Sequence, residues 1–167
     1  MKELIYLTIE ELKLIKEINL NSERLDKVRD VFMFSCLTGL NYVDLKRLSK
    51  DNFYEKGGVS WIRIKHAKTE LEMNIPLDGI VIDILHKYKG GDSLIPIISH
   101  QKLNAYLKEL AEKCNIIKSL TLMTAHTTFT ILMLSCGYPR HIVSQMLGHV
   151  QNKSMYKYLR AFQDAVI

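Results

Sequence analysis

The stretch Met146-Leu147-Gly148-His149-Val150-Gln151-Asn152-Lys153-Ser154-Met155-Tyr156-Lys157-Tyr158 places a histidine nine residues ahead of a tyrosine. Each half has an ordinary reading by itself. A glycine-histidine pair after an amphipathic helix is usually a cap followed by a surface histidine. A tyrosine on a carboxy-terminal helix is usually a packing residue. Upstream lie two further polar clusters. His66-Ala67-Lys68-Thr69 falls between two strand-like runs, where a lysine is ordinarily a solvated charge. Thr124-Ala125-His126-Thr127-Thr128-Phe129 reads as a helix start whose threonines cap or line the helix. What the stretch means depends on the order of these pieces.

Working outward, the chain reads as mainly helical. Thr8 and Glu11 fit a capping box, with Ile9, Leu12, Leu14 and Ile15 forming a helical stripe. A second helix is expected from about Glu23 to Leu40, polar at its start and apolar at its end, interrupted at Gly39. Tyr42 to Leu48 reads as one or two more turns. Asn52 to Tyr54 and Val59 to Ile64, joined by Lys56-Gly57-Gly58, read as a hairpin, and Leu71 to Ile75 as a third strand ended by Pro76. Helices are expected over Asp78 to Tyr88, Ser99 to Cys114, Thr124 to Ser135, Pro139 to Leu147 and Asn152 to Phe162. Gly137 fits the position past a helix end and Pro139 the first turn of the next. The fold class is therefore mainly α with a small antiparallel β-sheet inserted after the first third.

The 167 residues suit one domain able to bury a core without metal or disulfide staples. With 47% hydrophobic and 25% charged residues the composition excludes a disordered tail, a collagen-like fibre and a membrane protein. No apolar run approaches the ~18 uncharged residues of a membrane span. Cys36, Cys114 and Cys136 are sparse and scattered, which points to buried thiols in a reducing, cytoplasmic setting. No cysteine or histidine spacing reads as a zinc site. A net charge of +5 permits a polyanionic partner without demanding one.

Taken in order, the pieces resemble the catalytic domain of tyrosine recombinases, the phage-integrase family. Thr38-Gly39-Leu40, Val43-Asp44-Leu45 and Leu48 resemble its first box. Lys68-Thr69 and Ile75-Pro76-Leu77 resemble its lysine-bearing sheet, and Leu120-Thr121 through Phe129 its second box. Met146-Leu147-Gly148-His149 and Tyr158 match its histidine and nucleophile spacing. Phe34-Ser35-Cys36-Leu37-Thr38-Gly39-Leu40 is most similar to integrases of Bacteroides mobile elements. The resemblance spans nearly the whole chain but only the family's catalytic domain. On this resemblance the DNA-clamping domain that such enzymes carry ahead of it is expected to be absent.

The resemblance implies a tyrosine recombinase catalytic-domain fold acting on double-stranded DNA, without metal or nucleotide cofactor and without a membrane. It implies cleavage through a 3′-phosphotyrosyl link at Tyr158, with Tyr156 the nearby competitor. By the same resemblance His149 hydrogen-bonds the scissile phosphate, Lys68 protonates the leaving 5′-oxygen, and Asp44 is structural. Family tails pack on a neighbouring protomer on DNA, which sets that role for Ala161 to Ile167 against packing on its own domain; without DNA a monomer is expected.

The chain departs from the family at its phosphate clamp. The first family arginine falls on Asn41, the second on His126, and a family histidine on Met123. Losing one preorganised donor at a developing oxyanion costs on the order of ~10²–10³ in rate. The remaining DNA contacts implied are Asn41, Lys68, His126, Arg140 and His149, with Arg47, Arg63 and Arg140 available to replace lost charge. Three readings follow: a recombinase with a remodelled site, a DNA-binding relative that no longer cleaves, and a helical protein-interaction module.

Overall fold

The computed structural model describes residues 3–150 and 155–166. Thr8 caps the first helix, α1 (Ile9–Glu17), through the expected reciprocal box with Glu11. Ser22 caps α2 (Glu23–Thr38), whose second half runs buried from Asp30 through Cys36. The polar-to-apolar drift of its sequence is thus a helix entering the core. Gly39 ends it in the left-handed conformation at φ +73°, two residues before the expected end. Any Cβ there would sit 2.4 Å from Phe129 Cδ1, so glycine is required both for the turn and for the close approach of the next layer. Asn41 caps the short α3 (Tyr42–Arg47) by accepting from the Asp44 amide.

A 3₁₀ turn at Lys50–Asn52 leads into an antiparallel sheet of β1 (Phe53–Lys56), β2 (Val59–Lys65) and β3 (Glu72–Pro76), in the order β1-β2-β3. The β2–β3 register sets Ile62 opposite Ile75 and Ile64 opposite Met73, and these four side chains form the sheet's buried face. Pro76 is the last residue of β3 rather than its terminator.

The helices α4 (Gly79–Lys87) and α5 (His100–Lys113) pack on α2. On that side Asp30 Oδ2 accepts both from Lys87 Nζ at 2.6 Å and from the Tyr88 hydroxyl at 2.5 Å, so the buried carboxylate is paired with a cation and a phenol. Burial and this carboxylate together push the Tyr88 phenol well above its ordinary pKa.

At the centre lies α6 (Leu122–Ser135), which begins two residues before its expected start because Thr121, not a later threonine, accepts from the Thr124 amide. It packs on α2, α7 and α8. Its buried Thr127, Thr128 and Thr130 donate their hydroxyls to the carbonyls of Met123, Thr124 and His126, at 2.7–3.0 Å. Each hydroxyl finds an acceptor within its own helix, and Thr128 Oγ1 also accepts the Leu7 amide at 3.0 Å. Pro139 caps α7 (Arg140–Met146) instead of occupying its first turn.

The last helix, α8, runs Tyr156–Val166. The expected helix start at Asn152 lies outside the described residues. Ala161 and Phe162 pack against the chain's own core. Cys36 and Cys114 are buried as expected, but Cys136 is exposed, because it caps α6 at the surface. Among the described residues no helix is long and apolar enough to cross a membrane.

Candidate nucleic-acid site

The turn between β2 and β3 is built around an imidazole. His66 Nδ1 accepts the backbone N–H groups of Lys68 (3.2 Å) and Thr69 (3.1 Å). Asp44, fully buried on α3, holds the same turn from beneath. Its Oδ1 accepts from the Ala67 amide and from Arg47, both at 3.0 Å, while its Oδ2 is buried without a partner. Thr69 Oγ1 then reaches the Gly148 carbonyl at 2.7 Å, joining the turn to the loop after α7. Gly148 itself adopts φ +66°, and a Cβ on it would lie 2.7 Å from His66 Cβ. The imidazole and the glycine backbone are therefore packed face to face.

These contacts gather residues from five places in the sequence around one cleft of about 980 Å³, lined among others by Asn41, His66, Lys68, Met123, His126 and His149. The expected site residues Asn41, Lys68, His126 and His149 are thereby brought together. Met123 stands at the rim, 67% exposed. Arg140 does not line the cleft; its guanidinium lies 5.8 Å from the Tyr156 ring centre. Arg47 is bound to Asp44 and to the Lys65 carbonyl, and Arg63 to Asn74 beside the Tyr54 ring. None of the three supplies the missing guanidinium. Lys68 is the only lysine or arginine among the described lining residues.

The two tyrosines separate clearly. Tyr158 is 2% exposed, with its ring centre 6.4 Å from that of His126, which in turn lies 6.1 Å from that of His149. Tyr156 is 59% exposed. Tyr158 sits behind His126 and does not itself line the cleft.

His149 and His126 are held neutral. Burial pulls His149 down to about 4, reinforced by His126, His66 and Lys157 nearby. Burial also lowers His126, against a smaller opposing effect from its 2.9 Å hydrogen bond to the Gly39 carbonyl. A carbonyl can only accept, so His126 Nδ1 carries the ring proton and Nε2 is left with a lone pair. His126 is thus an acceptor toward the site, the opposite of the arginine whose place it takes in the sequence pattern. His149 Nδ1 is buried without a partner.

Two contributors escaped the sequence reading. His66 sits two residues before Lys68, and only the turn geometry reveals that its ring enters the cleft. Lys157 Nζ lies 4.8 Å from the Tyr158 ring centre and acts on both His126 and His149. Its adjacency to Tyr158 in the chain was the available signal.

No protein-family model matches the chain, and no curated protein sequence does. Solved structures do. One is the XerH site-specific recombinase bound to palindromic difH substrate in a post-cleavage complex, with TM-score 0.79, 16% identity and coverage of 99% of this chain and 52% of that one. Another is XerA recombinase, with TM-score 0.73 and 18% identity over 99% of this chain and 63% of the other. A third is a lambda integrase dimer bound to a COC′ core site, with TM-score 0.71 and 15% identity over 95% of this chain and 60% of the other. The chain spans about half the length of the XerH recombinase. At such identities the likeness shows the fold, which is that of tyrosine recombinase catalytic domains.

Proposed function

We propose that this chain binds duplex DNA across the cleft and exchanges strands through a covalent link at Tyr158. The reading is carried by one observation: in a recombinase fold, Tyr158, His126 and His149 come within ring distances of 6.1–6.4 Å beside a cleft shared with Lys68 and Asn41. The neighbours' own complexes with DNA support it.

The chemistry follows from the acceptor state of His126. Tyrosine titrates near ~10 and needs help losing its proton at neutral pH. His126 Nε2 takes that proton as the phenol oxygen attacks phosphorus. The bond from phosphorus to the 5′-oxygen breaks, and that oxygen takes a proton from Lys68. A 3′-phosphotyrosyl link and a free 5′-hydroxyl result. A 5′-hydroxyl from another strand reverses the steps, so rejoining needs no energy source. His149 donates one N–H to a non-bridging oxygen. Since Tyr158 is covered, attack requires α8 to shift when DNA binds.

A second reading, a DNA-binding relative that no longer cleaves, is favoured by the absence of any arginine among the described lining residues. One assay separates the two. The protein is incubated with nicked duplexes and scored for a denaturant-resistant adduct. Strand exchange predicts an adduct that Tyr158→Phe abolishes and Tyr156→Phe retains. An adduct seen only after combining Asn41→Arg, Met123→His and His126→Arg establishes the second reading. An adduct that survives Tyr158→Phe overturns the nucleophile assignment. DNA binding weakens steeply with salt in both readings, through counterion release. Salt-insensitive or absent binding would leave the protein-interaction module.

A further inference from the structure

His66 has no part in the chemistry above, yet its ring is fixed by two backbone hydrogen bonds. Two backbone N–H groups donate into Nδ1, at 3.2 and 3.1 Å, so the neutral ring carries its proton on Nε2. Nε2 lies 3.4 Å from Asn41 Nδ2. The Asn41 amide is fixed as well: its Oδ1 accepts from the Asp44 amide at 2.9 Å, which turns its NH₂ toward the histidine. Two donors therefore face one another at a distance too long for a good hydrogen bond, and neither can accept from the other. Both line the cleft. Such a pair lacks an acceptor, and the acceptor it suits is an oxygen carrying negative charge, bridged by both N–H groups.

From this geometry we infer that Asn41 and His66 form a two-donor subsite for a non-bridging phosphate oxygen, doing jointly with neutral N–H groups what one guanidinium would do. The inference deepens the strand-exchange reading and rests on it for the source of the phosphate, a phosphodiester of DNA. The pair is preorganised on both sides. Asn41 is held by the cap of α3. His66 is held by its turn and by contact with Gly148, where even a methyl group would come within 2.7 Å. Preorganisation matters because donors that need not reorient lose little on binding. The subsite also accounts for asparagine at this position, since it caps the helix with one atom of its amide and donates with the other.

Two substitutions separate donation from scaffolding. Asn41→Asp keeps the capping oxygen and turns the donor into an acceptor. His66→Asn keeps an oxygen near the Nδ1 position, for the turn amides, and removes the Nε2 donor. Dimethyl phosphate and inorganic phosphate are titrated into the full chain. Binding is followed by the imidazole nitrogen signals of His66 and the side-chain amide of Asn41. The expected result is an Nε2–H tautomer at His66, perturbation of both donors on titration, and at least about tenfold weaker binding in each variant with unchanged melting temperature. Shifts confined to Lys68 and His149, or variants that bind phosphate as the parent does, overturn the subsite. The two readings fail separately. Loss of the subsite with an adduct still forming at Tyr158 leaves strand exchange standing, and phosphate binding at Asn41 and His66 without an adduct leaves the subsite standing.

Discussion

Thr69 Oγ1 and the Gly148 carbonyl meet at 2.7 Å, across 79 residues of sequence. This bond couples the turn carrying His66 and Lys68 to the loop carrying His149, so the spacing of the proposed phosphate donors depends on it. Thr69→Val keeps the shape and removes the donor. The expected cost is about 1 kcal/mol in stability, measured by denaturant melts. Adduct formation should fall by more than that cost implies, because misplacing a catalytic group by about 1 Å can cost ~10² in rate. Equal losses in both assays would mean that the bond is only scaffolding.

A pH dependence follows from the buried imidazoles. His149 titrates near 4 in the fold and near 6.5 when exposed. Between those values the unfolded chain takes up a proton that the folded chain refuses. Stability is therefore full above pH 6.5 and declines as pH falls toward 4, with His126 adding in the same direction. Carboxylates with lowered pKa, such as Glu11 and Asp26, add their own loss only below their ordinary values of 4.5 and 3.8. Melting temperatures across this range should fall less steeply in His149→Gln than in the parent. Parallel curves would show that His149 is not buried in the neutral form.

Gly39→Ala tests the junction between α2 and α6. The new methyl group would meet the Phe129 ring at 2.4 Å on a backbone with φ +73°. Strain and overpacking together should cost roughly 2–4 kcal/mol. At about 2–4 °C per kcal/mol for a chain of this size, the drop in melting temperature is easily read. Because His126 donates to the Gly39 carbonyl, its ring should also lose its fixed tautomer.

Asn41→Arg restores a charge at the cleft. For DNA binding, one added phosphate contact steepens the slope of log affinity against log salt by about 0.9. An unchanged slope would show that position 41 does not reach the DNA backbone.

The sequence carried the architecture well because its signals are local. Thr8 with Glu11 fixed a helix start, and the alternation around Ile62, Ile64, Met73 and Ile75 fixed the sheet. The errors fall at ends governed by chemistry between neighbours, as at Thr121 and Pro139, where competing caps look alike in a string. The site was legible only in part. Asn41, Lys68, His126 and His149 could be named through the family resemblance, but the state of each required distances. The Gly39 carbonyl, 87 residues from His126, decides which nitrogen holds the proton, and no spacing rule encodes that. His66 was invisible for the same reason.

The threonines of α6 carry a consequence for how much sequence change the fold tolerates. Thr127 and Thr130 close their hydroxyls on their own helix, and of the three only Thr128, which also accepts the Leu7 amide, takes a polar partner from a distant segment. Around Thr127 and Thr130, neighbouring segments then owe this helix volume rather than matching polar groups. Volume can be conserved by many combinations of residues drifting together over generations. A centre of this kind accommodates very different sequences around it, and the same architecture recurs at 16% identity in a recombinase of about twice the length.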